Sequence, residues 1–303
     1  MKYDIDKELK SIVGYKGSTV IHLYPMVNMV YKAYKCRSDE NVVVNKYMIS
    51  GFKGAKLPVV VIEPRNCGDI LPCLFLFHGG GFVMKASKAH YQIAKKYAKM
   101  GNCKVIIPDY SLLPKYRFPV AIEDCYNTYM WAIDNAEKLR IDINKIILAG
   151  DSAGGNIAAA VVLMLRERNL NIPKGLLMVY PVLDKRMGTE SMKKFTDTPI
   201  WDAKCEKIFW DMYYQDLNEW PEYFASPMEA PSLEFFPPTY IEVAEYDCLH
   251  DEGVLFAERL RKEGVAVELH EVKGACHGYE AVTESSVVTK SVTQRIKWII
   301  DKT

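Results

Sequence analysis

The stretch Lys145-Ile146-Ile147-Leu148-Ala149-Gly150-Asp151-Ser152-Ala153-Gly154-Gly155-Asn156 decides how this 303-residue chain is read. Its first five residues are a short, mostly apolar run of the kind that forms a buried strand. From Ala153 to Arg168 the apolar residues Ile157, Val161, Val162 and Leu165 recur at helical spacing. Between the two lies Gly150-x-Ser152-x-Gly154, a serine on a sharp strand-to-helix turn. Such a turn projects the hydroxyl into a cleft, and its glycines remove side chains that would clash there. The helix start adds free N–H groups and partial positive charge. An isolated match to so short a pattern is by default a Gly-rich turn; the flanking strand and helix make Ser152 a candidate nucleophile.

Outward from this turn, apolar runs alternate with helical patterns from about residue 72 onward, the mark of βα units building a mainly parallel sheet. Strands are predicted at Cys73 to Phe77, Lys104 to Ile107, Lys145 to Ala149, Leu176 to Tyr180, Thr239 to Val243 and Val265 to His270. Val288, Val292, Ile296 and Ile299 predict a closing helix. Upstream, Asn41 to Met48 and Leu57 to Glu63 flank the turn-prone Ser50-Gly51 and Gly54 and are predicted to form an antiparallel pair. The fold class is therefore α/β. Residues 1–40 and 185–225 break the alternation, the second carrying Trp201, Phe209, Trp210, Tyr213, Tyr214 and Trp220. They are expected to form a cap on a core made of 41–184 and 226–303.

Composition bounds the function classes. With 39 basic and 38 acidic residues and no long run of one sign, neither a nucleic-acid footprint nor a polybasic membrane patch is expected. Eight cysteines without a CxxC pair argue against a zinc site and a disulfide framework, and are expected to be reduced thiols in a cytoplasmic protein. The N-terminal MKYDIDKELK is charged and no run of 18 uncharged apolar residues occurs, so neither export nor membrane spanning is expected.

A serine hydroxyl needs a neutral histidine to take its proton, and the histidine needs a carboxylate to orient it. Of six histidines, only His277 stands in a loop between the last strand and the last helix. Asp247 follows the strand Thr239 to Val243, whereas Asp251 and Glu252 open the next helix and suit its dipole. Ser152, Asp247 and His277 all fall at the carboxyl ends of strands, where open α/β sheets place their sites. His78-Gly79-Gly80-Gly81-Phe82 follows another strand. Three consecutive glycines suit a loop whose backbone N–H groups face a developing oxyanion. A phosphate loop is the rival reading, but neither G-x-G-x-x-G nor GxxxxGK[ST] spacing is present.

Through His78-Gly79-Gly80-Gly81-Phe82, the string GDSAGGN from Gly150 to Asn156, Asp247-x-Leu249-x-Asp251-Glu252-Gly253 and His277-Gly278-Tyr279, the chain resembles the hormone-sensitive-lipase-like family of carboxylesterases over about residues 60–290. The segment Tyr110 to Asp124 is similar to the family's tyrosine-proline-phenylalanine-proline region. Ser111 and Lys115 stand where arginine and glutamate are usual there, and Cys248 replaces the common proline after the aspartate. The resemblance implies an α/β-hydrolase fold with an eight-stranded, mostly parallel sheet and a helical cap, and ester hydrolysis with no cofactor and no metal. It also implies an oxyanion hole from Gly80, Gly81 and Ala153, and is compatible with a homodimer.

The expected partner is a small ester, with short acyl chains favoured because Lys, Asp and Glu interleave with the aromatics of both cap segments and leave no broad apolar face for a lipid-opening lid. Phe209 and Trp210 are candidates to wall the substrate pocket, although cap packing explains them nearly as well. An amidase or peptidase would use the same triad. A binding protein on this scaffold is the reading from another class: gibberellin receptors resemble the family and have lost the catalytic histidine, a position filled here by His277.

Overall fold

Every predicted strand forms, in an eight-stranded sheet. The computed structural model describes residues 2–65, 67–214 and 219–303. The strands are β1 (Val42–Ser50), β2 (Lys56–Pro64), β3 (Leu71–Phe77), β4 (Lys104–Pro108), β5 (Ile141–Asp151), β6 (Gly175–Val179), β7 (Thr239–Tyr246) and β8 (Val267–Cys276), in the order β1-β2-β4-β3-β5-β6-β7-β8. β2 runs antiparallel to both neighbours and every other pairing is parallel; the antiparallel pair of β1 and β2 is the one expected upstream of the βα units, whereas the antiparallel pairing of β2 with β4 was not foreseen.

The helices are α1 (Gly17–His22), α2 (Tyr24–Ala33), α3 (Lys88–Met100), α4 (Val120–Asp134), α5 (Ala136–Leu139), α6 (Ala153–Glu167), α7 (Glu190–Lys194), α8 (Ala203–Tyr213), α9 (His250–Lys262) and α10 (Ser286–Lys302). Because side chains alternate across a strand, the sheet feeds two cores. Cys73, Phe75, Phe77, Ile146 and Leu148 join α4, α6 and α9 on one face. Leu74, Leu76, Ile147 and Ala149 join α3 and α10 on the other. Burial on both faces explains why the central strands read as continuous apolar runs.

β8 extends past the predicted His270. Gly274, at φ +68°, lets Lys273, Gly274 and Ala275 loop out opposite Glu245, since Ala244 pairs with Val272 and Tyr246 with Cys276. The extra length delivers His277 beside the residue that follows Tyr246, which is Asp247.

The two segments outside the alternation meet each other. Ile200 N–H donates to the Tyr15 carbonyl at 2.8 Å, and Lys16 bridges Pro199. A Cβ on Gly17 would lie 2.2 Å from the Ile200 carbonyl oxygen, so a glycine is needed for this approach. All eight cysteines are free thiols, seven buried and Cys67 partly exposed. No described helix is long and apolar enough to cross a membrane.

Candidate active site

The turn after β5 holds Ser152 at φ 54° and ψ −121°, a strained conformation for a residue with a side chain. Both glycines around it are needed for close backbone approach. A Cβ on Gly150 would lie 2.1 Å from the Gly154 carbonyl oxygen, and one on Gly154 would lie 1.9 Å from that of Phe77. The N-terminus of α6 is thereby pressed against the end of β3. Asn156 anchors the same helix, its side-chain N–H groups donating to the Val182 and Ala225 carbonyls at 3.1 and 2.8 Å.

Ser152 Oγ lies 2.9 Å from His277 Nε2, and His277 Nδ1 lies 2.7 Å from Asp247 Oδ2. All three side chains are buried. The other Asp247 oxygen accepts from the Leu249 N–H at 3.0 Å, which fixes the carboxylate. Burial disfavours the His277 imidazolium, but the charge of Asp247 and its hydrogen bond outweigh it, with Glu206 and Asp151 adding to them, and the pKa is raised above the usual 6.5.

The neighbouring acids Asp251 and Glu252 stand in the first turn of α9, as expected, and each also ties that helix to another part of the chain. Asp251 accepts from the Ser191 N–H at 2.7 Å and lies 2.8 Å from His250 Nδ1, so it ties α9 to α7. Glu252 is buried and accepts from the Leu183 and Asp184 N–H groups at 2.8 and 3.0 Å. Burial pushes its carboxyl well above the usual range, with Glu206 adding to the rise.

In the glycine loop, Gly80 and Gly81 have φ of +107° and +58°. A Cβ on Gly81 would stand 2.6 Å from the Trp201 ring. The Gly79 N–H donates to Asp151 Oδ1 at 3.1 Å, and the other oxygen of Asp151 faces His90 Nε2 at 3.1 Å. His90 Nδ1 accepts from the Ser87 N–H, so its proton sits on Nε2, toward the carboxylate. Burial alone would raise the Asp151 pKa, yet His90 lowers it. The Ala153 N–H belongs to the first turn of α6, where helical N–H groups have no intrahelical partner. In the sequence His90 is one of the five histidines outside the loop after the last strand, and Asp151 is marked only by its place inside the serine motif.

A cavity of about 620 Å³ opens over Ser152 and His277. Gly79, Gly80, Gly81 and Tyr180 line it from the core, Ile12, Tyr15 and Tyr31 from the N-terminal segment, and Ile200 and Trp201 from the insertion. Phe209 and Trp210 are not among its lining residues. Phe209 stacks on Phe82 at 5.5 Å and on Tyr213 at 5.2 Å, and Trp210 packs on Phe209 at 4.8 Å, all within the core. The aromatic at the pocket wall is Trp201, whose Nε1 donates to the buried Glu206 at 2.7 Å. Burial pushes Glu206 up to about 7, against the hydrogen bond from Trp201. Among the described residues no three His, Cys, Asp or Glu side chains converge as a metal site would require.

A mostly parallel sheet carrying a serine, a histidine and an acid at the carboxyl ends of β5, β8 and β7 defines the α/β-hydrolase class. The family described as alpha/beta hydrolase fold matches residues 74–281. The chain is 36% identical over 222 residues to esterase LipI of Mycobacterium tuberculosis, covering 71% of this chain and 68% of that protein. It is 33% identical over 228 residues to an arylesterase of Saccharolobus solfataricus, covering 74% and 73%. A bacterial heroin esterase superposes with a TM-score of 0.88 at 27% identity, over 100% of this chain and 99% of that one. The chain belongs to the alpha/beta hydrolase family, in its hormone-sensitive-lipase-like branch.

Proposed function

We propose that this protein is a serine carboxylesterase acting on small esters. The observation that carries the reading is the continuous relay from Ser152 Oγ to His277 Nε2 at 2.9 Å and from His277 Nδ1 to Asp247 at 2.7 Å, facing a cavity of about 620 Å³. Ser152 attacks the ester carbonyl while His277 takes its proton. The oxyanion accepts from the N–H groups of Gly80, Gly81 and Ala153. His277 then protonates the departing alcohol, and a water activated by the same imidazole hydrolyses the acyl-enzyme. Each step is a proton transfer or an acyl transfer, so the cycle calls on no metal or organic cofactor.

Residues 1–40 and 185–225 act as a two-part cap; positions 1 and 215–218 lie outside the described residues. The contact of Tyr15 with Ile200 and the shared lining of the cavity support this division. Because Ile12, Tyr15, Ile200 and Trp201 bound the cavity, acyl chains of roughly two to eight carbons are preferred: each methylene gains about 0.8 kcal/mol only until it meets the wall.

The test combines Ser152→Ala with a serine-directed phosphonate. The alanine variant should fold and lose nearly all turnover of nitrophenyl acetate, and the phosphonate should label Ser152 alone. Retention of more than about a tenth of the activity would assign the nucleophile elsewhere. A chain-length series of monomeric nitrophenyl esters should pass through a maximum.

A further inference from the structure

Helix α2 is amphipathic in the wrong sense for a globular surface. Met26, Met29, Val30 and Ala33, at the i, i+3, i+4 and i+7 spacing of one helical stripe, all face solvent. Met26 is 60% exposed, Met29 69% and Val30 62%, with Leu23 at 45% just ahead of them, and no residue of the helix is fully buried. The sequence expectation of no broad apolar face on the cap does not hold here.

The orientation is set by hydrogen bonds. Asn28 on the opposite side donates from Nδ2 to the Val83 carbonyl at 2.8 Å and accepts at Oδ1 from the Lys85 N–H at 2.8 Å. Both contacts lie just beyond the glycine loop. Tyr31, on that same inward side, lines the cavity over Ser152. The helix thus presents its polar and aromatic side to the site and its apolar stripe to whatever lies outside.

Along the chain, the charged residues that flank the stripe are of one sign. Between Glu8 and Asp39 the chain carries Lys10, Lys16, Lys32, Lys35 and Arg37, all exposed, and no aspartate or glutamate. A second copy of the chain related by a twofold axis would bring these cations against their own images. An anionic amphiphile surface would neutralise them and take up the methionines, as interfacial helices with basic flanks do.

We propose that α2 is a docking surface for an anionic lipid–water interface, on which the protein rests with the mouth of its cavity at the surface. The stripe supplies the apolar anchor and the basic segment the selectivity for anionic lipid. Binding is read without turnover, so this inference stands or falls separately from the catalytic reading.

The experiment is co-sedimentation of the full chain with vesicles of phosphatidylcholine alone and with about 30 mol % phosphatidylglycerol. Binding is expected to the anionic vesicles only, and to weaken as salt rises. The triple variant Met26→Ser, Met29→Ser, Val30→Ser should lose more than about tenfold in vesicle affinity while hydrolysing soluble nitrophenyl acetate as before, since none of the three lines the cavity. Absence of binding, equal binding to neutral vesicles, or unchanged binding by the variant would overturn the proposal. So would a dimer in solution that the same variant dissociates, because a second copy would then cover the face.

Discussion

Two carboxylates four residues apart separate the catalytic reading from a merely structural one. Asp247 meets His277, whereas Asp251 meets Ser191 and His250. Asp247→Asn is expected to lower kcat by about 10⁴-fold by reversing the imidazole tautomer, and Asp251→Asn by less than about tenfold. Steady-state kinetics on one soluble ester decides between them, and equal losses would exchange the assignments. The pH profile adds an independent measure. In the proposed cycle His277 must be neutral to accept the serine proton, and its pKa is raised, so kcat/KM should rise with pH through an apparent pKa above 6.5. Glu206 is one of the charges that hold it up. In Glu206→Gln the limb should therefore move to lower pH, while the amide oxygen still accepts from Trp201 and keeps the pocket wall. A limb that stays in place would remove Glu206 from the electrostatics of the site. These residues differ in how far the sequence revealed them. Ser152, Asp247 and His277 were legible because each ends a strand of recognisable period. Trp201 and Glu206 were not, because what brings them to the site is the docking of the insertion on Gly81, a contact between distant parts of the chain.

At the scale of elements, the junction of β3, β5 and α6 leaves no room for a side chain at Gly150 or Gly154. Gly154→Ala would drive a methyl group into the Phe77 carbonyl oxygen, 1.9 Å from the ideal Cβ position. The strand and helix would have to part, at a cost of about 1–3 kcal/mol or more. A lowered Tm together with lost turnover is the expected result; an unchanged Tm would mean that the junction can relax. Core strands and α6 were readable from apolar period alone. α8 shows where that reading stops: its Phe209 and Trp210 sit on a helical stripe, and a stripe says that a face is buried without saying whether against a ligand or the protein's own core. β8 was read short because Gly274 interrupts its pattern, and the bulge there can be recognised only against the partner strand β7.

Across the whole molecule, one buried cluster joins parts far apart in the chain. Arg295 on α10 is 1% exposed and pairs with Glu242 on β7 and Glu280. Tyr97 of α3 and Tyr279 add hydrogen bonds, and Tyr180 donates to Glu280 at 2.8 Å. Replacing Arg295 by Met would leave two carboxylates without their cation and should destabilise the fold by about 3–5 kcal/mol in urea denaturation. Adding Glu242→Leu should restore part of that loss, and a double variant no better than the single one would argue against charge burial as the cause. The seven buried thiols spread across this same body, in the N-terminal segment, the insertion, and both faces of the sheet. A thiol-alkylating reagent would therefore find Cys67 at once and each of the others only when its own neighbourhood opens. Mass spectrometry of the alkylated peptides would turn these side chains into seven local clocks of unfolding, reporting whether the cap parts from the sheet before the sheet itself gives way.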